Sequence, residues 1–307
     1  MKEHKHILSV NTGFFVNRYT DPAQWVHQVS EVIGLKNVQF TADLINPYLP
    51  DELIDKQITK TTKELSKYGV NVTSSFTGAF TRLNNLTHPE EAFRNYYENW
   101  FYRFVDISAA LGSASIGSHF GILTQPNLED KSANKFLTND AISRWCRIAD
   151  YAAKKGINKI FWEPMSISRE YGETIEKAIN LNDALNDSLK EKSDIKFSMC
   201  LDVDHGDLES LNPDDIDPYA WLKKCGSNYD MVHLKQSYEN KGGHWPFTTE
   251  HNLKGKIVPH KVLEAIRSTN PREVELVLEL SFKERQPADR LAVKHVAESV
   301  EYWLKSI

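Results

Sequence analysis

Cysteine is scarce in this chain. Cys146, Cys200 and Cys225 are spread over 307 residues, and no C-x-x-C pair occurs. So few, in an odd number and so far apart, they exclude a disulfide framework and a thiolate metal site and read as buried thiols in a reducing compartment. Long apolar runs are missing too: none reaches the roughly 18 residues that a membrane span needs. The first ten residues are too charged, and their apolar run is too short, for a secretory signal. The expectation is a soluble cytoplasmic protein that does not engage a membrane. There is no long basic run, and 37 Lys and Arg stand against 42 Asp and Glu for a net charge of −5. Nucleic acid is therefore not an expected partner. Pro/Ser-rich linkers and low-complexity segments are also lacking, so residues 1–307 are expected to form one domain.

What the chain does contain is a regular beat. Short apolar runs at 7–12, 38–43, 70–76, 114–119, 158–163, 195–202, 231–235 and 274–279 read as strands. Amphipathic stretches at 21–33, 51–68, 88–111, 133–154, 174–189, 218–224, 260–268 and 287–304 read as helices. Pro22 suits a first helical turn and Gly156 a helix end. Strict alternation argues for parallel strands joined by crossover helices, and eight pairs close a (β/α)8 TIM barrel. The alternative, an open doubly wound sheet, lacks its usual phosphate loop, because no G-x-G-x-x-G follows the first strand. The aromatic stretch Phe93, Tyr96, Tyr97, Trp100, Phe101 and Phe104 reads as core packing, with the subunit contact of a homo-oligomer as the other reading.

The chemistry concentrates where the last four strands stop. Ile-Phe-Trp-Glu163, Met-Cys-Leu-Asp202, Met-Val-His233 and Leu-Val-Leu-Glu279 each end an apolar run on a metal-binding side chain. Strand ends of a parallel barrel open into the active-site mouth. Taken singly, a strand-end carboxylate caps a helix or forms an ion pair, and His233 could be a satisfied core histidine. Four successive strands with the same design favour a divalent-cation site. Three carboxylates and one imidazole suit Mn²⁺ first, with Mg²⁺, Co²⁺ or Zn²⁺ as alternatives.

These residues resemble the metal-dependent sugar epimerases and isomerases of the xylose-isomerase-like barrel, over nearly the whole chain. That family carries Glu, Asp, His and Glu in this order on its last four strands, matched by Glu163, Asp202, His233 and Glu279. Its Asp-x-x-His motif is matched at Asp202-Val-Asp-His205, which implies that His205 binds a substrate oxygen. The segments 117–121, 163–170 and 279–285 look closest to the subgroup acting on erythrulose phosphates.

The activity implied is C3 epimerisation of a small ketose phosphate through a cis-enediolate, with a divalent cation polarising the carbonyl. Glu163 and Glu279 are the candidates to remove and return the proton on opposite faces. His119 is a further candidate for a substrate oxygen, or else makes a structural hydrogen bond. Arg169, Lys283 and Arg285 are candidates for a phosphate, or else ordinary surface charges. His244 belongs to a lid, or else packs around Trp245. Two other activities remain open: an aldose–ketose isomerase with the same metal, and an abasic-site endonuclease-like hydrolase, which the acidic balance disfavours.

Overall fold

A computed structural model of the protein describes residues 6–189, 195–239, 241–270, 272–283 and 289–307. Among these, eight parallel strands close a barrel: β1 (Ile7–Asn11), β2 (Asn37–Thr41), β3 (Asn71–Phe76), β4 (Ser115–His119), β5 (Lys159–Glu163), β6 (Lys196–Asp202), β7 (Tyr229–Leu234) and β10 (Glu275–Leu278). The first and last strands close the ring, with Ile7 opposite Glu275 and Val10 opposite Leu278. Two short antiparallel strands, β8 (Gln236–Tyr238) and β9 (Lys241–Trp245), form a hairpin outside the ring. The expected barrel is thus the observed one; residues 237–255, which read in the sequence as a Gly- and His-containing loop, hold most of this hairpin and a short helix, Thr249–Asn252.

Element boundaries shift where local chemistry decides them. The helix expected over 21–33 is α-helical only from Pro22 to His27 and continues as a π-helical turn, Gln28–Ile33. The helix expected from 133 starts at Lys131, because Asp130 accepts hydrogen bonds from the Ser132 and Ala133 amides. Cys200 and Cys225 are buried free thiols, whereas Cys146 is only half-buried, a correction to the expectation for all three.

Strand periodicity sorts the core into two parts. Outward residues such as Val10, Val38, Phe40, Ile160, Trp162 and Leu201 pack under the helices. Inward residues Phe76, Phe161, Cys200, Met231 and Val277 fill the barrel lumen. Phe76 can lie across the lumen because its neighbour on β4 is Gly117, whose added Cβ would meet the Phe76 ring at 2.0 Å. The ring then packs edge-on against His233, 5.0 Å between centroids.

The aromatic helix, Glu91–Ala110, buries Trp100, Phe101 and Phe104 but leaves Phe93 and Tyr96 exposed. It is bound to the helix Lys131–Lys154 by ion pairs. Arg144, 4% exposed, bridges Glu98 and Asp140 at 2.7 Å each, and Arg147 also reaches Glu98 at 2.6 Å. Among the described residues no helix is long and apolar enough to cross a membrane. Removing one partner of a buried pair strands the other, so Glu98→Ala should lower the unfolding free energy by about 3 kcal/mol in urea denaturation.

Candidate metal centre

Alternation along each strand delivers the site. Phe161, Cys200, Met231 and Val277 face the lumen. Two residues further on, with the same orientation, come Glu163, Asp202, His233 and Glu279. Their ligand atoms all lie within 4.8 Å of one another. His233 Nδ1 is 3.2 Å from Glu163 Oε1 and 3.6 Å from Glu279 Oε2. Hard carboxylate oxygens and one imidazole nitrogen, gathered in a largely buried mouth, fit a divalent cation. Without one, like charges would face each other at short range.

The electrostatics follow from burial and neighbours. Burial opposes ionisation of Asp202, but His205 and Lys235 override it and hold the carboxyl well below the usual carboxylate range. Glu279 is lowered as well, with His233 and Lys235 outweighing burial. Burial disfavours the protonated His233 ring, yet the Cys200 sulfur and the Glu279 and Glu163 carboxylates raise its pKa well above the ordinary value. A cation entering the centre therefore competes with a proton for His233.

Lys235 is the residue that reading along the sequence missed. It is 1% exposed, with Nζ 2.5 Å from Asp202 Oδ2 and 3.5 Å from Glu279 Oε2. Its signal was available: it stands two positions past His233, the next inward residue of the same run. Three carboxylates and one ammonium leave a charge of about −2, which a divalent cation balances.

The structure brings other expected residues to a cavity of about 1080 Å³ above the centre, lined among others by His119, Glu163, His205, His244, Glu279 and Lys283. His205 Nδ1–H donates to Pro164 O at 2.9 Å, which leaves Nε2 as an acceptor. His119 is buried and its Nε2 reaches Leu83 O at 2.8 Å. Burial, together with the nearby Arg82 charge, depresses its pKa to about 4 despite that hydrogen bond. His244, on β9, lies 3.5 Å from Glu279 Oε2 and about as close to Lys235 Nζ. The hairpin is held there by Asp204, which accepts from the Gly243 amide at 2.9 Å.

The cations divide. Lys283 is exposed on the cavity rim. Arg169 is not among the lining residues: it donates to Leu123 O and pairs with Glu170. Arg285 lies outside the described residues. Arg18 and Arg82 also line the cavity, and no strand-end pattern pointed to them. Arg18 is engaged with Asp289 and two carbonyls, and Arg82 with Glu170.

Comparison with known proteins agrees with this geometry. Residues 27–307 match the family described as xylose isomerase-like TIM barrel. The chain is 41% identical over 300 residues to D-erythrulose 1-phosphate 3-epimerase of Brucella abortus (strain 2308), covering 98% of this chain and 96% of the relative. Among solved structures, a Rhodospirillum rubrum protein provisionally assigned as a xylose isomerase superposes with a TM-score of 0.87 at 22% identity, over 99% of this chain and 100% of that one. D-allulose 3-epimerase from Methylomonas sp. gives 0.69 at 15% identity, over 99% and 98%. At these identities the two structures speak to the fold alone.

Two outcomes follow from the electrostatics. Lys235→Met removes the only buried ammonium described in the centre, so the metal-free protein should melt about 5 °C lower, equivalent to ~3 kcal/mol in a chain of this size. Excess Mn²⁺ should recover most of that loss in a thermal melt. His119 has a folded pKa below its unfolded one. Its contribution to stability is complete above pH about 6.5 and is lost as pH falls toward 4, where the unfolded chain takes up a proton that the folded chain refuses. His119→Gln should flatten that part of the pH–stability profile of the metal-free protein in urea titrations.

Proposed function

The chain belongs to the xylose isomerase-like TIM barrel family, and from that premise we propose that it is a metal-dependent epimerase of a small ketose phosphate, acting at C3 of erythrulose 1-phosphate. The observation that carries the reading is the convergence of Glu163, Asp202, His233 and Glu279 at one barrel rim. The substrate is suggested by the Brucella abortus relative. We read residues 1–307 as one catalytic domain. Mn²⁺ is the proposed cation, and the free thiols fit a cytoplasmic location.

Glu163, Asp202, His233 and Glu279 would hold the cation. When bound, it would polarise the C2 carbonyl and so raise the acidity of the C3–H bond. Glu163 and Glu279 flank the cavity from β5 and from the end of β10. One carboxylate takes the C3 proton, and the C–H electron pair moves into the enediolate. The other carboxylate takes a proton from solvent and delivers it to the opposite face, so that a new C–H bond forms with inverted configuration. The first carboxyl then returns its proton to solvent, and both are ionised again. His205 Nε2 is free to accept from a substrate hydroxyl, and His119 and His244 border the same cavity. Lys283 is the rim cation best placed for the phosphate, because Arg18 and Arg82 are already paired. Arg169 is directed elsewhere.

The test is incubation of the Mn²⁺-loaded enzyme with D-erythrulose 1-phosphate in D₂O. Deuterium should appear at C3 together with the C3 epimer. An aldose phosphate as product would instead assign the aldose–ketose isomerase reaction and overturn the proposal. Glu279→Gln should lower turnover by about 10²–10⁴-fold, the usual weight of a general acid–base group.

A further inference from the structure

We propose that Asn11 and Gln39 form a hydrogen-bond relay that dictates which nitrogen of His233 faces the cation, making Gln39 a positioning residue of the metal centre. The inference rests on the metal-site reading above and extends it to side chains that hold no ligand atom.

The relay starts at a group with only one possible polarity. The Gly13 main-chain N–H donates to Asn11 Oδ1 at 2.7 Å. A main-chain N–H cannot accept, so this oxygen is assigned and Asn11 Nδ2 must point the other way. Nδ2 donates to Gln39 Oε1 at 2.6 Å. The reverse orientation of Gln39 would set two NH₂ groups against each other at that distance. Gln39 Oε1 is therefore an acceptor, and its second partner is His233 Nε2 at 3.0 Å. Nε2 must carry the hydrogen. A neutral imidazole has only one, which leaves Nδ1 bare. Nδ1 is the nitrogen turned toward Glu163 and Glu279. The far side of the Gln39 amide agrees: Nε2 faces two acceptors, Met231 Sδ at 3.1 Å and Ser74 Oγ at 3.4 Å.

The rest of the site protects this chain of bonds. Gln39 is wholly buried, so water does not compete for its oxygen. Phe76 lies edge-on against the imidazole and holds its plane. A Cβ at residue 13 would stand 2.8 Å from Asn11 Oδ1, so Gly13 lets the loop approach closely enough to begin the relay. An amide at position 39 also differs from a carboxylate in a way that matters here. It orients the ring without adding a fourth negative charge to three already crowded together.

The experiment compares Mn²⁺ dissociation constants, by competition with a chromophoric chelator, for the wild type, Gln39→Met and Gln39→Glu. Methionine fills the space and offers no oxygen, so binding should weaken about 10–100-fold, the usual effect of losing such a partner. Gln39→Glu adds a negative charge but keeps an acceptor for His233, so it should bind Mn²⁺ more tightly than Gln39→Met does. A Gln39→Met constant within about threefold of the wild type's would overturn the relay, and so would a Gln39→Glu constant as weak as that of Gln39→Met. Should that variant not fold, ¹⁵N-histidine NMR of the Mg²⁺-loaded wild type decides: a proton on His233 Nε2 supports the proposal and one on Nδ1 refutes it. A wild type that binds neither Mn²⁺ nor Mg²⁺ would bring down the metal-site reading itself, a result distinct from failure of the relay alone.

Discussion

Like charge held at short range is the constraint on which this structure turns. Three carboxylates from β5, β6 and the end of β10 converge in a mouth that is largely closed to water. Left alone they would repel one another or take up protons. The protein offsets part of that cost internally with Lys235, whose ammonium touches Asp202 and approaches Glu279. The remainder suits a divalent cation, so the chemistry the site can perform and its need for a partner ion have the same electrostatic origin.

The barrel makes this concentration of charge tolerable. Each parallel strand has a bonded neighbour on both sides of the closed ring, and helices cover the ring outside, so the strand ends are held while their side chains remain free to meet. Below the polar rim, Phe161, Cys200, Met231 and Val277 form a dry layer. Buried glycine at 117 gives Phe76 its room, and that ring supports His233 from the side. Asp204 belongs to the same Asp-Val-Asp-His run as Asp202 of the candidate cluster, yet it works in a different way: it fastens the hairpin that carries His244 beside Glu279. A member of the candidate metal cluster and an anchor for the hairpin thus stand two residues apart.

Much of the site was legible because it obeys a period of two. An apolar strand that stops on Glu163, Asp202, His233 or Glu279 announces both its direction and its inward residue. The same rule extended by one step would have found Lys235, and applied to Val38-Gln39-Phe40 would have found an inward amide between two outward apolar residues. The placing of cations around the cavity was less legible. Arg169 follows β5 closely in sequence, but the short turn Ser168–Glu170 directs it to Leu123 O, whereas Arg18 and Arg82 reach the cavity from loops with no strand-end signature.

The sequence alone determined the alternation of strands and helices, the count of eight, and the four side chains that end the last strands, because these depend on local periodicity and on the polarity of each residue. The tertiary structure decided which groups touch. The path from the Gly13 amide through Asn11 and Gln39 to His233 crosses three strands, joining positions as far apart as 194 residues in the chain. The placing of Lys235 between two carboxylates, and the turning away of Arg169, depend likewise on how the ring closes. Contacts between residues remote in sequence leave no local pattern, since each partner satisfies its own strand or loop preference whether or not the other is there.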